Sequence, residues 1–152
     1  MKFTTVPIND VPKFNSNGDS YRPLVLVVDD ESAIADTLVQ ILTRSGFSAV
    51  AAYDGQSALE TALLMPPHLL LTDVSLPGMN GIDLAITLRR IYPDCKVILF
   101  SGQASTMDLL GSANRSGHHF QLLHKPIHPS ELLVHLKASL KTSSARAAVP
   151  VT

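Results

Sequence analysis

Leu24-Val25-Leu26-Val27-Val28-Asp29-Asp30 is an apolar run of strand length that ends in two adjacent acids. Short continuous stretches of Val, Ile and Leu read as strands buried on both faces, the mark of a parallel sheet. Outward from this run the same design recurs: Leu69-Leu70-Leu71-Thr72 leads into Asp73, and Phe120-Gln121-Leu122-Leu123-His124 leads into Lys125-Pro126. The carboxyl ends of parallel strands share one rim, and open α/β sheets take their ligands there. Three carboxylates and an ammonium gathered on that rim make a compact site for a hard cation and a phosphoryl group.

The stretches between the runs supply the helices. Leu38, Ile41 and Leu42 recur at helical spacing before Gly46, a natural helix stop. A strand is expected over Phe47 to Tyr53, after which Asp54-Gly55 opens a helix carrying Ala58, Leu59, Ala62 and Leu63, ended by Pro66-Pro67. Gly78 and Gly81 punctuate a loop before a helix with Leu84, Ile86, Leu88 and Ile91, and Pro93 separates it from a strand over Lys96 to Phe100. A weaker helix is expected around Thr106 to Ala113, and a last one from Pro129 with Leu132, Leu133, Leu136 and Leu140 on one face. Strands and helices alternating in this way imply right-handed crossovers and a parallel sheet covered on both faces.

Residues 1–22 hold Pro7, Pro12, Asn9, Asn15, Asn17 and Gly18 without sustained periodicity and read as an extended or disordered arm. Residues 23–141 then form one folded unit, and residues 142–152, small and polar, read as a frayed flexible tail.

Composition narrows the functional classes. The chain has 152 residues, enough for one well-buried core, and 45% of them are hydrophobic, which fits a compact globular domain. No apolar stretch nears the roughly 20 residues needed to cross a bilayer, so no membrane partner is expected. A formal net charge of −1 offers no basic face, which argues against nucleic acid as a partner of this chain. The single cysteine, Cys95, excludes an internal disulfide framework, fits a reducing compartment and reads as inert. With no secretory signal in view, the cytoplasm is the expected location.

The stretch Asp73-Val74-Ser75-Leu76-Pro77-Gly78-Met79-Asn80-Gly81, taken in order with Asp29-Asp30, Ser101-Gly102 and Lys125-Pro126, resembles the receiver domain of two-component response regulators over Leu24 to Lys141. The resemblance implies a flavodoxin-like, doubly wound sheet of five parallel strands in the order 2-1-3-4-5. It implies Mg²⁺ as cofactor, held directly by Asp30, Asp73 and the backbone carbonyl of Ser75, with Asp29 acting through a bound water. Asp73 is then the phosphoacceptor, Lys125 pairs with a phosphoryl oxygen, and Ser101 donates its hydroxyl to another and triggers a conformational switch. The implied partners are a sensor histidine kinase or phosphotransfer protein and an unidentified downstream protein. The implied protein is bacterial and stands alone without an output domain; it is no enzyme beyond its own phosphoryl transfer and autodephosphorylation.

Other readings of the same residues stay in view. Asp29-Asp30 would also suit a helix amino terminus, where negative charge is favoured. A pseudo-receiver would present the same surface without ever being phosphorylated. A Mg²⁺-dependent hydrolase would also form an aspartyl phosphate, but needs a further acid/base and a substrate cap for which residues 23–141 leave little length. His118, His119, His124 and His128 crowd the last strand, yet no second ligand pair at zinc-like spacing accompanies them.

Two departures from the family pattern bear on signalling. Receivers commonly carry Tyr or Phe where this chain has Leu122, so the usual aromatic switch is in question. The segment between Ser101 and Lys125 is longer than is common and contains Gly111, Ser112, Asn114, Ser116 and Gly117, which predicts a short or mobile fourth helix.

Overall fold

The computed structural model describes residues 22–102 and 106–148. Among the described residues five strands and five helices alternate: β1 Leu24–Val28, α1 Ser32–Arg44, β2 Ser48–Ala52, α2 Gly55–Leu64, β3 Leu69–Asp73, α3 Gly81–Ile91, β4 Lys96–Ser101, α4 Thr106–Arg115, β5 Gln121–His124 and α5 Pro129–Ala148. All strand pairs are parallel and the sheet order is β2-β1-β3-β4-β5, the flavodoxin-like arrangement expected from the sequence. Alternate residues along each strand feed opposite faces. Leu26, Val28, Leu70, Val97 and Leu99 meet α2, α3 and Ala113 of α4 on one side. Val25, Val27, Leu69, Leu71, Ile98 and Phe100 meet Ala35 and Leu42 of α1 and Leu132 and Leu136 of α5 on the other. A strand that must satisfy both layers has no room for a polar residue until it ends, which is why the acids stand at the tips of β1 and β3.

Local chemistry starts and stops the helices. The carboxylate of Asp54 accepts the Ser57 amide at 2.7 Å to cap α2, and the Asn80 side chain accepts the Asp83 amide at 2.9 Å to cap α3. α4 runs to Arg115, two residues further than the Gly/Ser-rich stretch suggests. Gly117 is its stop signal: at φ +89 its amide reaches the Asn114 carbonyl at 3.0 Å, while the His118 amide reaches Ala113 at 2.8 Å. This pair of bonds closes the helix around a left-handed residue, and α1 closes the same way at Gly46.

Both boundaries of the folded unit differ from the sequence reading. Arg22, assigned there to the arm, donates from Nη2 to the Thr43 carbonyl at 3.0 Å and from Nε to Gly46 at 3.3 Å, covering the last carbonyls of α1. The rest of the expected arm, residues 1–21, lies outside the described residues. At the other end α5 continues past Lys141 to Ala148. The stretch 142–148 is small and polar but contains neither Gly nor Pro, and the next helix breaker is Pro150. Residues 149–152 of the expected tail lie outside the described residues.

Candidate phosphoacceptor site

The tips of β1 and β3 are adjacent, since Val28 pairs with Thr72. Asp29 is fully buried and Asp73 nearly so, while Asp30 is exposed. Carboxylate oxygens of Asp29, Asp30 and Asp73 lie within 4.8 Å of one another, the one group of three potential metal ligands found among the described residues. Oxygen donors at that spacing, two from the interior and one from the solvent side, fit a hard divalent cation.

Lys125 closes the site from the far side of β4. Its Nζ donates to Asp29 Oδ2 and to Asp73 Oδ2, each at 2.9 Å. The remaining oxygens are also occupied: Asp29 Oδ1 accepts the Glu31 amide at 2.9 Å and Asp73 Oδ1 accepts the Ser75 amide at 3.1 Å. Asp29 therefore touches the lysine directly, a contact additional to the water-mediated role expected of it. Neither aspartate caps α1, whose N-cap is Glu31 with no side-chain cap bond.

Burial is the largest influence on Asp73 and pushes its carboxyl above the ordinary carboxylate range; Lys125 and the Ser75 amide pull it down, and the Asp29 charge adds to the rise. Burial alone lowers Lys125, and the hydrogen bonds and charges of Asp29 and Asp73 together reverse this and raise it. A bound cation would favour the ionised carboxylate that a nucleophile requires.

Two backbone features fix this geometry. The Lys125 amide donates to the Ser101 carbonyl at 3.0 Å, so the buried Ser101 and the lysine share one hydrogen bond past the end of the β4–β5 ladder. Gly81 opens α3 directly behind Asp73, and its amide donates to the Val74 carbonyl at 2.9 Å. A Cβ at that position would drive into the Asp73 carbonyl oxygen, so the last glycine of the motif is a steric requirement.

The match to the family model for the response regulator receiver domain spans residues 25–137. The chain belongs to this family. Among curated proteins, this receiver is 32% identical over 123 residues to the DNA-binding response regulator MtrA of Mycolicibacterium smegmatis, covering 81% of the chain but 53% of MtrA. It thus spans about half the length of the curated relatives it matches. Among solved structures it resembles a CheY-like receiver domain protein from Methanospirillum hungatei, with TM-score 0.76, 28% identity, and 83% and 99% of the two chains covered. A two-component transcriptional regulator AraC from Clostridium phytofermentans aligns with TM-score 0.70 and 36% identity, over 83% and 98% of the two chains.

Away from the acids, the receiver shows what its departures look like in space. Leu122 is half-buried and packs with Phe120 on the α3/α4 side of the sheet. Phe120 is held on that side by the Arg89 guanidinium, 4.8 Å from its centroid, and by the His118 ring stacked at 6.2 Å. His119, His124 and His128 are exposed, and His128 Nδ1 accepts the Ser130 amide at 3.2 Å. Cys95 is buried, and burial pushes its thiol up to about 11, away from thiolate reactivity. One neighbour of the site escaped the sequence reading. Phe100, buried one residue before Ser101, lies with its ring centroid 4.9 Å from Lys125 Nζ.

Proposed function

We propose that this chain is a phosphorylation-controlled switch whose phosphoacceptor is Asp73. The observation that carries the reading is the Lys125 ammonium bridging Asp29 and Asp73 at 2.9 Å each, with Asp30 beside them. One Asp73 carboxylate oxygen attacks the phosphorus of a phosphohistidine on a kinase or phosphotransfer protein. A new O–P bond forms as the P–N bond breaks, and the electron pair leaves on the imidazole nitrogen, which takes a proton. Lys125 faces the negative oxygens that arrive on Asp73, and the buried Ser101 hydroxyl is the donor proposed for another of them. Mg²⁺, held by Asp30, Asp73 and the Ser75 carbonyl with Asp29 through water, would neutralise phosphoryl charge.

The output proposed is a change in partner binding, with the downstream protein identified by its preference for the phosphorylated form. No helix among the described residues is long and apolar enough to cross a membrane. The cytoplasm is the place of action proposed with this reading, since phosphohistidine donors of this kind act there. The DNA-binding activity named for MtrA is a property of that longer protein.

Incubation with Mg²⁺ and acetyl phosphate, followed by intact mass measurement, tests the proposal. A single phosphoryl adduct is expected on the wild-type chain and none on Asp73→Asn. Continuous release of phosphate at many turnovers would indicate a hydrolase instead, and no adduct at all would indicate a pseudo-receiver.

A further inference from the structure

Phe100 stands where the core meets the site. Its ring is 1% exposed, belongs to the layer packed against α1 and α5, and approaches Lys125 Nζ to 4.9 Å. The same ring and the lysine border a cavity of about 460 Å³ whose other walls are Ile34, Leu38, Pro126 and Ile127. The ammonium therefore meets two carboxylates on one side and an apolar aromatic wall on another. An ammonium has three N–H groups, and Asp29 and Asp73 take two of them. A lysine stem has several rotatable bonds and loses much freedom when held in one place, so its position needs more than a single charge partner.

We propose that the Phe100 ring is a positioning residue that seats the Lys125 ammonium between Asp29 and Asp73 through a cation–π contact. The inference rests on Asp73 being the phosphoacceptor. The two carboxylates are not equivalent seats over a phosphorylation cycle, because one of them is consumed when the phosphoryl group arrives. The ring carries no net charge and undergoes no chemistry, so its pull on the ammonium is available before and after transfer. The ring belongs to a buried side chain, and the partial burial of the lysine strengthens the attraction of its ammonium to the negative ring face. A leucine of similar apolarity would fill the core and provide no such seat.

The test separates the ring's electrostatics from its bulk. Mono-, di- and trifluorophenylalanine placed at position 100 keep nearly the same shape and burial while progressively weakening the negative ring face. The initial rate of phosphorylation by acetyl phosphate should fall in that order, by about fivefold across the series, with the melting temperature nearly constant. A flat series would overturn the proposal. Independently, proton NMR of the unphosphorylated chain should show the Lys125 ε-methylene resonances moved upfield by the ring and returned to ordinary lysine values in Phe100→Leu. Ordinary values in the wild-type chain would also overturn it. If Phe100→Leu does not fold, the wild-type spectrum and the fluorinated series decide. A wild-type chain that never takes the phosphoryl group would defeat the phosphoacceptor reading instead, and the methylene resonances would still decide on the seat.

Discussion

β3 and β5 are both parallel strands of one sheet, yet all five residues of Leu69–Asp73 are buried whereas only Leu123 of Gln121–His124 is. β3 lies between β1 and β4, and β5 has a neighbour on one side only. A strand enclosed by two neighbours and two helical layers cannot shift without disturbing all of them, so Asp73 inherits the rigidity of the core. The edge strand answers to fewer constraints, and its Leu122, where the sequence resemblance leads one to expect an aromatic, is half-buried. The site draws on both: its acids stand at the enclosed tips of β1 and β3, and its lysine, Lys125, directly follows the edge strand.

The sharpest way to break this contrast is at its central tip. Asp73→Asn should eliminate phosphorylation by acetyl phosphate while leaving cooperative thermal unfolding intact, because the amide keeps the volume and loses the nucleophile. Full labelling of that variant would sink the assignment. Next in size is Gly81→Ala, whose methyl group collides with the Asp73 carbonyl. It should cost about 3 kcal/mol in urea unfolding, as overpacking against fixed backbone does, whereas an unchanged midpoint would show that the centre yields more than its burial suggests.

Asp29 and Asp30 should rank oppositely in two assays. Asp29→Ala removes the acceptor of the part-buried Glu31 amide and one lysine contact, so it should cost about 1–3 kcal/mol of stability. Asp30→Ala, at an exposed position, should change stability by less than about 0.5 kcal/mol and weaken Mg²⁺ binding by about tenfold or more in calorimetric titration. The same ranking in both assays would contradict the division of roles.

The pH dependence follows from the lysine. Its raised pKa means that its contribution to stability is fully present below the unfolded value of about 10.4 and is lost as pH rises through the higher folded value. The stability gap between the metal-free wild type and Lys125→Met should therefore close in the alkaline range, and a gap that widens there would reverse the sign. Smallest of all should be Leu122→Tyr at the edge. Stability should move by less than about 1 kcal/mol and the phosphorylation rate should stay unchanged, with any effect confined to partner affinity.

Much of this was legible because a doubly covered parallel sheet writes itself into the chain as unbroken Val and Leu runs. β1 and β3 begin and end where those runs do, and their terminal acids meet as the resemblance implies. What stayed hidden depends on distances across elements. Phe100 reads as one more core residue of β4, and its approach to Lys125 arises only once the chain after β5 folds back over it. Arg22 finds its partners 21 and 24 residues away, beyond any local pattern. Gly117 counts in the sequence toward a short or mobile fourth helix, whereas in the fold it is the residue that closes α4 after Arg115. α5 outran its expected end because Ala145, Arg146, Ala147 and Ala148 are strong helix formers that continue a helix already anchored by Leu132 and Leu136.

Arg22 holds the chain against the carbonyl end of α1, at the edge of the sheet where β1 begins. That edge is separated from the reactive rim by the full length of a five-residue strand, about 17 Å. A fluorophore joined at Arg22 itself would therefore start from the opposite end of the strands from Asp73.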